Sequence, residues 1–150
     1  MSDAGHRPVA SAGRTVVVSS LMSDAHTWNL VFLQLLLEEY GFLVVNLGPC
    51  VPVELLVTSC RETRPLMVVL SSVNGHGYQD GLQAIAGLRA CPALAGTVVV
   101  IGGKLGISAH RRAEHAAALL AAGCDAVYDD DADASASFRE LVSSLAAIAS

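Results

Sequence analysis

The strongest constraint on the fold is a regular alternation of two kinds of segment along the chain. Short apolar runs rich in β-branched residues, which favour strands, are followed by longer stretches with apolar residues at helical spacing. The strand runs are residues 14–20, 42–47, 66–71, 97–101 and 125–128. The helical stretches are residues 30–40, 53–63, 79–90 and 108–122, with a last helix that runs to about residue 147.

Strands that alternate with helices through short links predict an α/β fold with a mostly parallel sheet and helices on both faces. Right-handed crossovers favour the strand order 2-1-3-4-5 of flavodoxin-like folds. The competing Rossmann order normally has six strands, and this chain offers five. We therefore predict a flavodoxin-like (Rossmann-like) five-stranded sheet in a single domain.

The composition agrees with a large buried core. Of the 150 residues, 53% are hydrophobic and 15% are charged, and the mean hydropathy is +0.51. No apolar run reaches the roughly 18–20 residues that span a bilayer, so strands buried on both faces explain the apolar composition better than a membrane segment does. We expect a cytoplasmic domain over residues 14–150, with no membrane partner, and a flexible N-terminal lead over residues 1–13.

Charge and cysteine usage narrow the function classes further. The net charge is −5 and no basic cluster is present, which indicates against a nucleic-acid partner. The four cysteines form no C-x-x-C pair and lie in or beside apolar segments; they are Cys50, Cys60, Cys91 and Cys124. This pattern predicts reduced, buried side chains and not a disulfide or a zinc site.

Three unusual segments fall at the carboxyl ends of predicted strands, where ligands of such sheets bind. Residues 23–29 follow strand 1, Ser71-Ser72-Val73 closes strand 3, and Gly102-Gly103 breaks strand 4. In the order 2-1-3-4-5 these strands are neighbours, so the segments line one continuous slot. Each segment alone is also typical of an ordinary loop, strand end or tight turn, so their convergence carries the prediction.

Standard ligands of this fold do not fit that edge. A dinucleotide site needs a glycine-rich turn after strand 1, and residues 19–29 contain no glycine. The sequence Gly102-Gly103-Lys104-Leu105 is not a P-loop, and serines stand where a phosphoreceiver has its aspartate. The other histidines have no zinc-ligand spacing to His26. What remains is a ligand whose metal needs one histidine and whose bulk needs a slot lined by small residues.

The sequence resembles the cobalamin-binding fold of base-off, histidine-on corrinoid enzymes, whose signature is D-x-H-x-x-G, then S-x-L, then G-G. Here Asp24-Ala25-His26-Thr27-Trp28-Asn29 is followed after 41 residues by Ser71-Ser72-Val73, and after 28 more by Gly102-Gly103. The resemblance covers nearly the whole chain. In detail the sequence looks most like the small subunits of glutamate mutase (methylaspartate mutase). Val73 replaces a leucine, and Asn29 replaces a glycine beside the nucleotide tail.

The resemblance implies a role for each matched residue. His26 is the lower axial cobalt ligand, and Asp24 accepts a hydrogen bond from its other ring nitrogen, which fixes the tautomer and raises basicity. The displaced nucleotide tail of adenosylcobalamin threads between strands 1 and 3. The implied cofactor-binding set is Ser23, Asp24, Ala25, His26, Thr27, Asn29, Ser71, Ser72, Val73, Gly102, Gly103, Lys104, Leu105 and Gly106, with His26 alone on the metal and no catalytic residue on this chain.

The resemblance also implies a division of labour between subunits. The chain is expected to carry adenosylcobalamin to a separate, large TIM-barrel subunit in a radical isomerisation of the glutamate to 3-methylaspartate type. A barrel takes roughly 200 residues or more, so this chain cannot contain one, and the amino-acid substrate is expected to bind mainly to the partner.

Two alternatives stay open. A methyl-carrying corrinoid protein for a methyltransferase typically has a helical cap before this fold, and no cap fits before residue 14. A cobalamin-binding module without mutase activity is suggested by Asn29.

Overall fold

A computed structural model of the protein describes residues 14–21, 30–72, 77–103, 112–129 and 132–149. Strands and helices alternate along these ranges, as predicted. The strands are β1 (Thr15–Ser20), β2 (Leu43–Gly48), β3 (Met67–Ser72), β4 (Val98–Gly103) and β5 (Ala126–Asp129). The helices are α1 (Leu30–Glu39), α2 (Val53–Thr63), α3 (Gly77–Arg89), α4 (Arg112–Ala121) and α5 (Ala132–Ala149), with a 3-10 turn at Pro92–Leu94. The predicted lead over residues 1–13 lies outside the described residues.

The five strands form one parallel sheet in the order β2-β1-β3-β4-β5, which confirms the predicted topology. The three central strands are almost wholly removed from solvent, and all six residues of β1 are buried. Their Val-rich sequences suit this position, because β-branched side chains pack well on a pleated surface that helices cover on both sides.

Side-chain alternation divides the core into two clusters, one on each face of the sheet. Val16 and Val18 of β1 pack with α1 and α5, which present among others Leu33 and Phe138. Val17 points to the opposite face, where α2, α3 and α4 lie. Since successive side chains of a strand point to opposite faces, each strand position can be assigned to the α1/α5 face or to the α2/α3/α4 face.

Glycines end two of the helices, as the sequence indicates. Gly41 follows α1 with a φ of +89°, and Gly123 follows α4 with a φ of +122°. At both positions the backbone takes a conformation that side chains with a Cβ rarely adopt, so the chain leaves each helix at a defined residue.

The end of β4 differs from the prediction. Gly102-Gly103 was expected to break the strand, but both residues lie within it and pair with neighbours on either side. Gly102 pairs with Ser71 and Tyr128, so the backbone hydrogen-bonding positions of two flanking strands hold the glycines in extended form. Pairing on both sides outweighs the low strand propensity of glycine.

The four cysteines are free, as expected, but only two are buried. Cys60 and Cys124 lie in the α2/α3/α4 core, whereas Cys50 is exposed and Cys91 is half-buried. Burial raises the pKa of Cys60 to about 12, with a smaller contribution from nearby Cys91. Burial also raises the pKa of Cys124 to about 11. Within the described ranges, no helix is both long enough and apolar enough to cross a membrane.

Candidate functional site

The carboxyl edge of the sheet carries a row of small residues that crosses three adjacent strands. Ser20 pairs with Ser71 in the strand register, and Ser71 pairs with Gly102. The next residue in the row is Tyr128 on β5, which pairs with Gly102. We call these four residues the edge row. Tyr128 belongs to the α1/α5 cluster, and the other three residues each follow a member of that cluster by two positions. Since side chains two positions apart on a strand share a face, all four lie on the α1/α5 face.

On β1, β3 and β4 the edge row marks an abrupt fall in side-chain size on that face. Two residues toward the amino ends of these strands, the same face carries Val18, Val69 and Val100, which fill the core. Two residues later the same three strands present two hydroxymethyl groups and a hydrogen atom. Ser20 is 0% exposed and Ser71 is 1% exposed, so these polar side chains lie inside the fold and not at its rim. The sheet therefore has a buried shelf where the strands of the core would otherwise continue with large side chains.

Two helices and one aromatic pair bound this shelf. Helix α1 begins at Leu30, which packs into the α1/α5 core, and α5 covers the β5 side. The Tyr128 ring meets the ring of Phe138 edge-on, with centroids 5.6 Å apart. Burial, and to a smaller degree the nearby Cys124, raises the pKa of the Tyr128 phenol, which therefore stays neutral. A neutral phenol and two hydroxyls make this part of the shelf polar without bringing charge into it.

The sheet leaves no gap between β1 and β3. Their pairing runs from Val16 through Ser20, and just beyond it the Leu21 N–H donates to the Ser71 carbonyl at 2.9 Å. No ligand tail can pass between the two strands along this paired stretch. Beyond it, in residues 22–29 and 73–76, which lie outside the described residues, the predicted passage of the tail between strands 1 and 3 stays a prediction.

The predicted site residues divide into those that the structure describes and those outside its described ranges. Ser71 and Gly102 stand side by side in the edge row, and the backbones of Ser72 and Gly103 are paired one step further on. The other ten members of the predicted set lie in residues 22–29, 73–76 and 104–111, outside the described residues. They are Ser23, Asp24, Ala25, His26, Thr27, Asn29, Val73, Lys104, Leu105 and Gly106.

Sequence reasoning missed Ser20 and Tyr128. Ser20 was recognised only as part of a strand, and Tyr128 only as the end of the fifth. What marks them is the face of the sheet on which they lie. Assigning that face needs the register of four strands, so no single segment of the sequence reveals it. In the register of the parallel sheet, both residues stand in line with Ser71 and Gly102.

The described side chains at this edge are small, polar or aromatic. Among the described residues, no group of three or more His, Cys, Asp and Glu could hold a metal ion. What the described part of the edge supplies is hydroxyl groups, glycine backbone and a covered aromatic ring. These features fit a large organic ligand.

Comparison with known proteins identifies the class. Residues 14–139 match the family model for the B12 binding domain, so the chain belongs to the B12-binding domain family. In structure it is similar to a cobalamin-binding protein from Desulfitobacterium hafniense, with a TM-score of 0.65 and 21% identity over 85% of this chain and 58% of that one. At this identity the structural likeness concerns the fold alone.

Proteins that are similar in sequence identify a narrower family than the domain model does. The glutamate mutase sigma subunit 1 of Haloarcula marismortui is 31% identical over 122 residues, which are 80% of this chain and 78% of the relative. The glutamate mutase sigma subunit of Fusobacterium nucleatum is 32% identical over 97 residues, 65% of this chain and 71% of the relative. The chain is a member of the glutamate mutase sigma subunit family.

Proposed function

We propose that the chain binds adenosylcobalamin and presents it to a large TIM-barrel subunit of a cytoplasmic carbon-skeleton mutase of the glutamate to 3-methylaspartate type. The observation that carries the proposal is the edge row: three adjacent strands lose their large side chains together on one face of the carboxyl edge. Such a shelf accommodates an extended tail, and the family to which the chain belongs binds a cofactor that has one.

The cobalt ligand in this proposal is His26. It belongs to the segment that joins β1 to α1, and β1 ends at Ser20 in the edge row. A histidine there is close in sequence to both the shelf and the first turn of α1. Asp24 stands two residues before His26 and is proposed to accept a hydrogen bond from the other ring nitrogen, which would make the imidazole a better ligand.

The edge row is proposed to receive the nucleotide tail that His26 displaces. Ser20 and Ser71 leave room and supply hydroxyls for the polar groups of the tail, while Gly102 lets it approach the backbone closely. Tyr128 closes the shelf on the β5 side. A tail held in the shelf would stay away from the cobalt, which would leave His26 free to bind the metal.

When bound, adenosylcobalamin would supply a carbon radical through homolysis of its cobalt–carbon bond. This chain would hold the cofactor, with His26 as its cobalt ligand. The substrate chamber is assigned to the partner, because the described residues form one sheet and its covering helices and contain no barrel. The amino-acid substrate is therefore proposed to make its main contacts with the partner subunit.

The ligand assignment is tested by electron paramagnetic resonance. The protein is loaded with paramagnetic cob(II)alamin after labelling its histidines with nitrogen-15. We expect a splitting from one histidine nitrogen, which disappears in His26→Ala and persists in His115→Ala. A spectrum without histidine coupling, or one unchanged by His26→Ala, contradicts the assignment.

The subunit assignment has a separate test. The loaded chain is assayed for conversion of glutamate to 3-methylaspartate with and without the large subunit encoded in the same genome. Activity is expected only with both chains present. Turnover by this chain alone would overturn the carrier role, and methyl transfer with a corrinoid methyltransferase would favour the methyl-carrier alternative.

A further inference from the structure

Helix α1 is more apolar than its place in the fold requires. It packs on one side of the sheet, yet seven of its ten residues are large and apolar. Its buried face consists of Leu30, Leu33, Leu36 and Leu37. Its exposed side also carries large apolar side chains, which are Val31, Phe32 and Leu35. We call these three residues the α1 patch. A helix that packs on one side needs a single apolar stripe, and a helix that is apolar all round is typically covered on more than one side.

The α1 patch is the largest group of its kind in the part of the chain that the structure describes. Val31 is 63% exposed, and Leu35, one turn later on the same side of the helix, is 57% exposed. The other exposed large apolar side chains each lie on a different element; they are Leu43 on β2, Leu55 on α2, Leu120 on α4 and Ile148 on α5. A group of neighbouring exposed apolar side chains marks a surface at which a protein binds a partner.

The α1 patch lies near the edge of the sheet where the cofactor is proposed to bind. Because β1 and β2 are parallel, α1 must carry the chain back from the carboxyl edge to the amino edge. All three patch residues lie in the first two turns of α1, which are the turns nearest the carboxyl edge. The α1 patch therefore borders the edge that the proposed function turns toward the large subunit.

The acidic end of α1 indicates the charge of the partner. Glu38 and Glu39 are exposed in the last turn of the helix, which holds no basic residue. That turn carries the negative end of the helix dipole, so carboxylates stabilise it less than basic groups would. Arg14 lies at this end too, but its guanidinium donates to the carbonyls of Tyr40 and Gly41. A partner with a basic side chain beside an apolar surface complements this arrangement, whereas a second copy of the chain, with its net charge of −5, brings further acidic groups.

We propose that the α1 patch binds the large subunit of the mutase, which buries Val31 and Leu35 and places a basic side chain beside Glu39. The inference rests on the proposed function, because that function supplies the partner. The two surfaces of this chain then have different tasks. The edge row holds the cofactor, and the outer side of α1 holds the protein that uses it, so the two subunits are joined by side chains as well as through the cofactor between them.

Two polar substitutions test the apolar contact. Val31→Gln combined with Leu35→Gln keeps residues that favour helices and removes the exposed apolar groups. At saturating cobalamin we expect the Kd between the double variant and the large subunit to rise about tenfold, equivalent to about 1.4 kcal/mol, as measured by sedimentation and by mutase activity against large-subunit concentration. The Kd of the isolated chain for cobalamin should not change. Leu120→Gln, at an apolar residue of α4 that is 45% exposed, is the matched control and should change neither Kd.

A charge reversal tests the basic side chain of the partner. Glu39→Lys should raise the Kd between the subunits by about threefold at low ionic strength, and the difference should shrink in salt because exposed charges are screened. Glu62→Lys, at an exposed glutamate in the last turn of α2, is the matched control and should leave that Kd unchanged. An unchanged or lower Kd for Glu39→Lys would refute a basic partner residue at this end of α1.

The outcomes separate this inference from the proposed function. If the natural chain, loaded with cobalamin, does not bind the large subunit, the proposed function fails and this inference fails with it. If the natural chain binds and the double variant binds as tightly, only the role of the α1 patch is overturned.

Two further results would overturn it in favour of another occupant. Self-association of the natural chain that the double variant abolishes, with no change toward the large subunit, would assign the α1 patch to a second copy. A Tm of the isolated double variant lower by more than about 4 °C would show that the chain's own residues cover the patch.

Discussion

Filling the shelf at Ser71 should weaken cofactor binding without unfolding the protein. Ser71 is 1% exposed and stands between Ser20 and Gly102 in the edge row. Ser71→Val keeps a residue that favours strands and places about two methyl groups where the tail is proposed to lie. Each buried methyl adds about 0.8 kcal/mol of apolar burial, while the lost hydroxyl removes a hydrogen bond of about 1 kcal/mol.

These two terms nearly cancel in the cofactor-free protein. The free energy of unfolding should change by no more than about 1 kcal/mol, which moves the Tm by about 2–4 °C at most. With the tail in place the same methyl groups overpack the site, at a cost of about 1–3 kcal/mol. This cost corresponds to a Kd raised by a factor of about 5 to 150.

The assay is equilibrium dialysis against cobalamin, followed by its visible absorbance, with thermal unfolding of the cofactor-free protein alongside. Ser19→Val is the matched control, because Ser19 is 0% exposed at the end of the same sheet but belongs to the α2/α3/α4 face. Its Kd should match that of the natural protein. An unchanged Kd for Ser71→Val, or equal losses in both variants, would refute the assignment of the tail to the α1/α5 face.

Thiol chemistry and backbone packing give further tests. At pH 8 iodoacetamide should alkylate Cys50 rapidly and leave Cys60 and Cys124 intact until the protein unfolds, as read by peptide mass spectrometry, because burial raises the pKa of both buried thiols. Above pH 9 these thiols ionise in the unfolded chain but stay neutral in the folded one, so the free energy of unfolding should fall as the pH rises. The fall is up to about 1.4 kcal/mol per pH unit for each thiol, and it ends at about pH 11 for Cys124 and about pH 12 for Cys60. Cys60→Ala should make the fall shallower, as measured by urea titration at several pH values. Gly81→Ala should destabilise by about 1–3 kcal/mol, since its Cβ would meet an isoleucine carbon at 2.5 Å, while Gly96→Ala, with nothing within 4 Å, should not.

The order of elements follows from local sequence because each boundary has a local cause. Gly41 and Gly123 stop their helices through a positive φ, and Val-rich runs define the buried strands. The parallel order then follows from short links and right-handed crossovers. For that reason the fold, and the meeting of the Ser71 and Gly102 segments at one edge of the sheet, could be predicted.

What the sequence did not reveal depends on partners far apart in the chain. The extension of β4 through Gly103 needs pairing with both flanking strands, which local propensity opposes. Tyr128 enters the shelf only through its register with Gly102. The Tyr78–His115 stack joins two helices whose periodicity gives no sign of the contact. Exposure of Cys50 likewise reflects the tertiary position of the link between β2 and α2.

The walls of the shelf come from opposite ends of the described chain. Helix α1 begins at Leu30 and α5 begins at Ala132, and both pack on the same face of the sheet. A nascent chain on the ribosome has α1 long before it has α5, so it cannot enclose a tail while synthesis continues. Capture of the cofactor is then a late event in the life of the subunit, and a refolding chain should become competent to hold cobalamin only when α5 docks. Loading should therefore report the docking of α5.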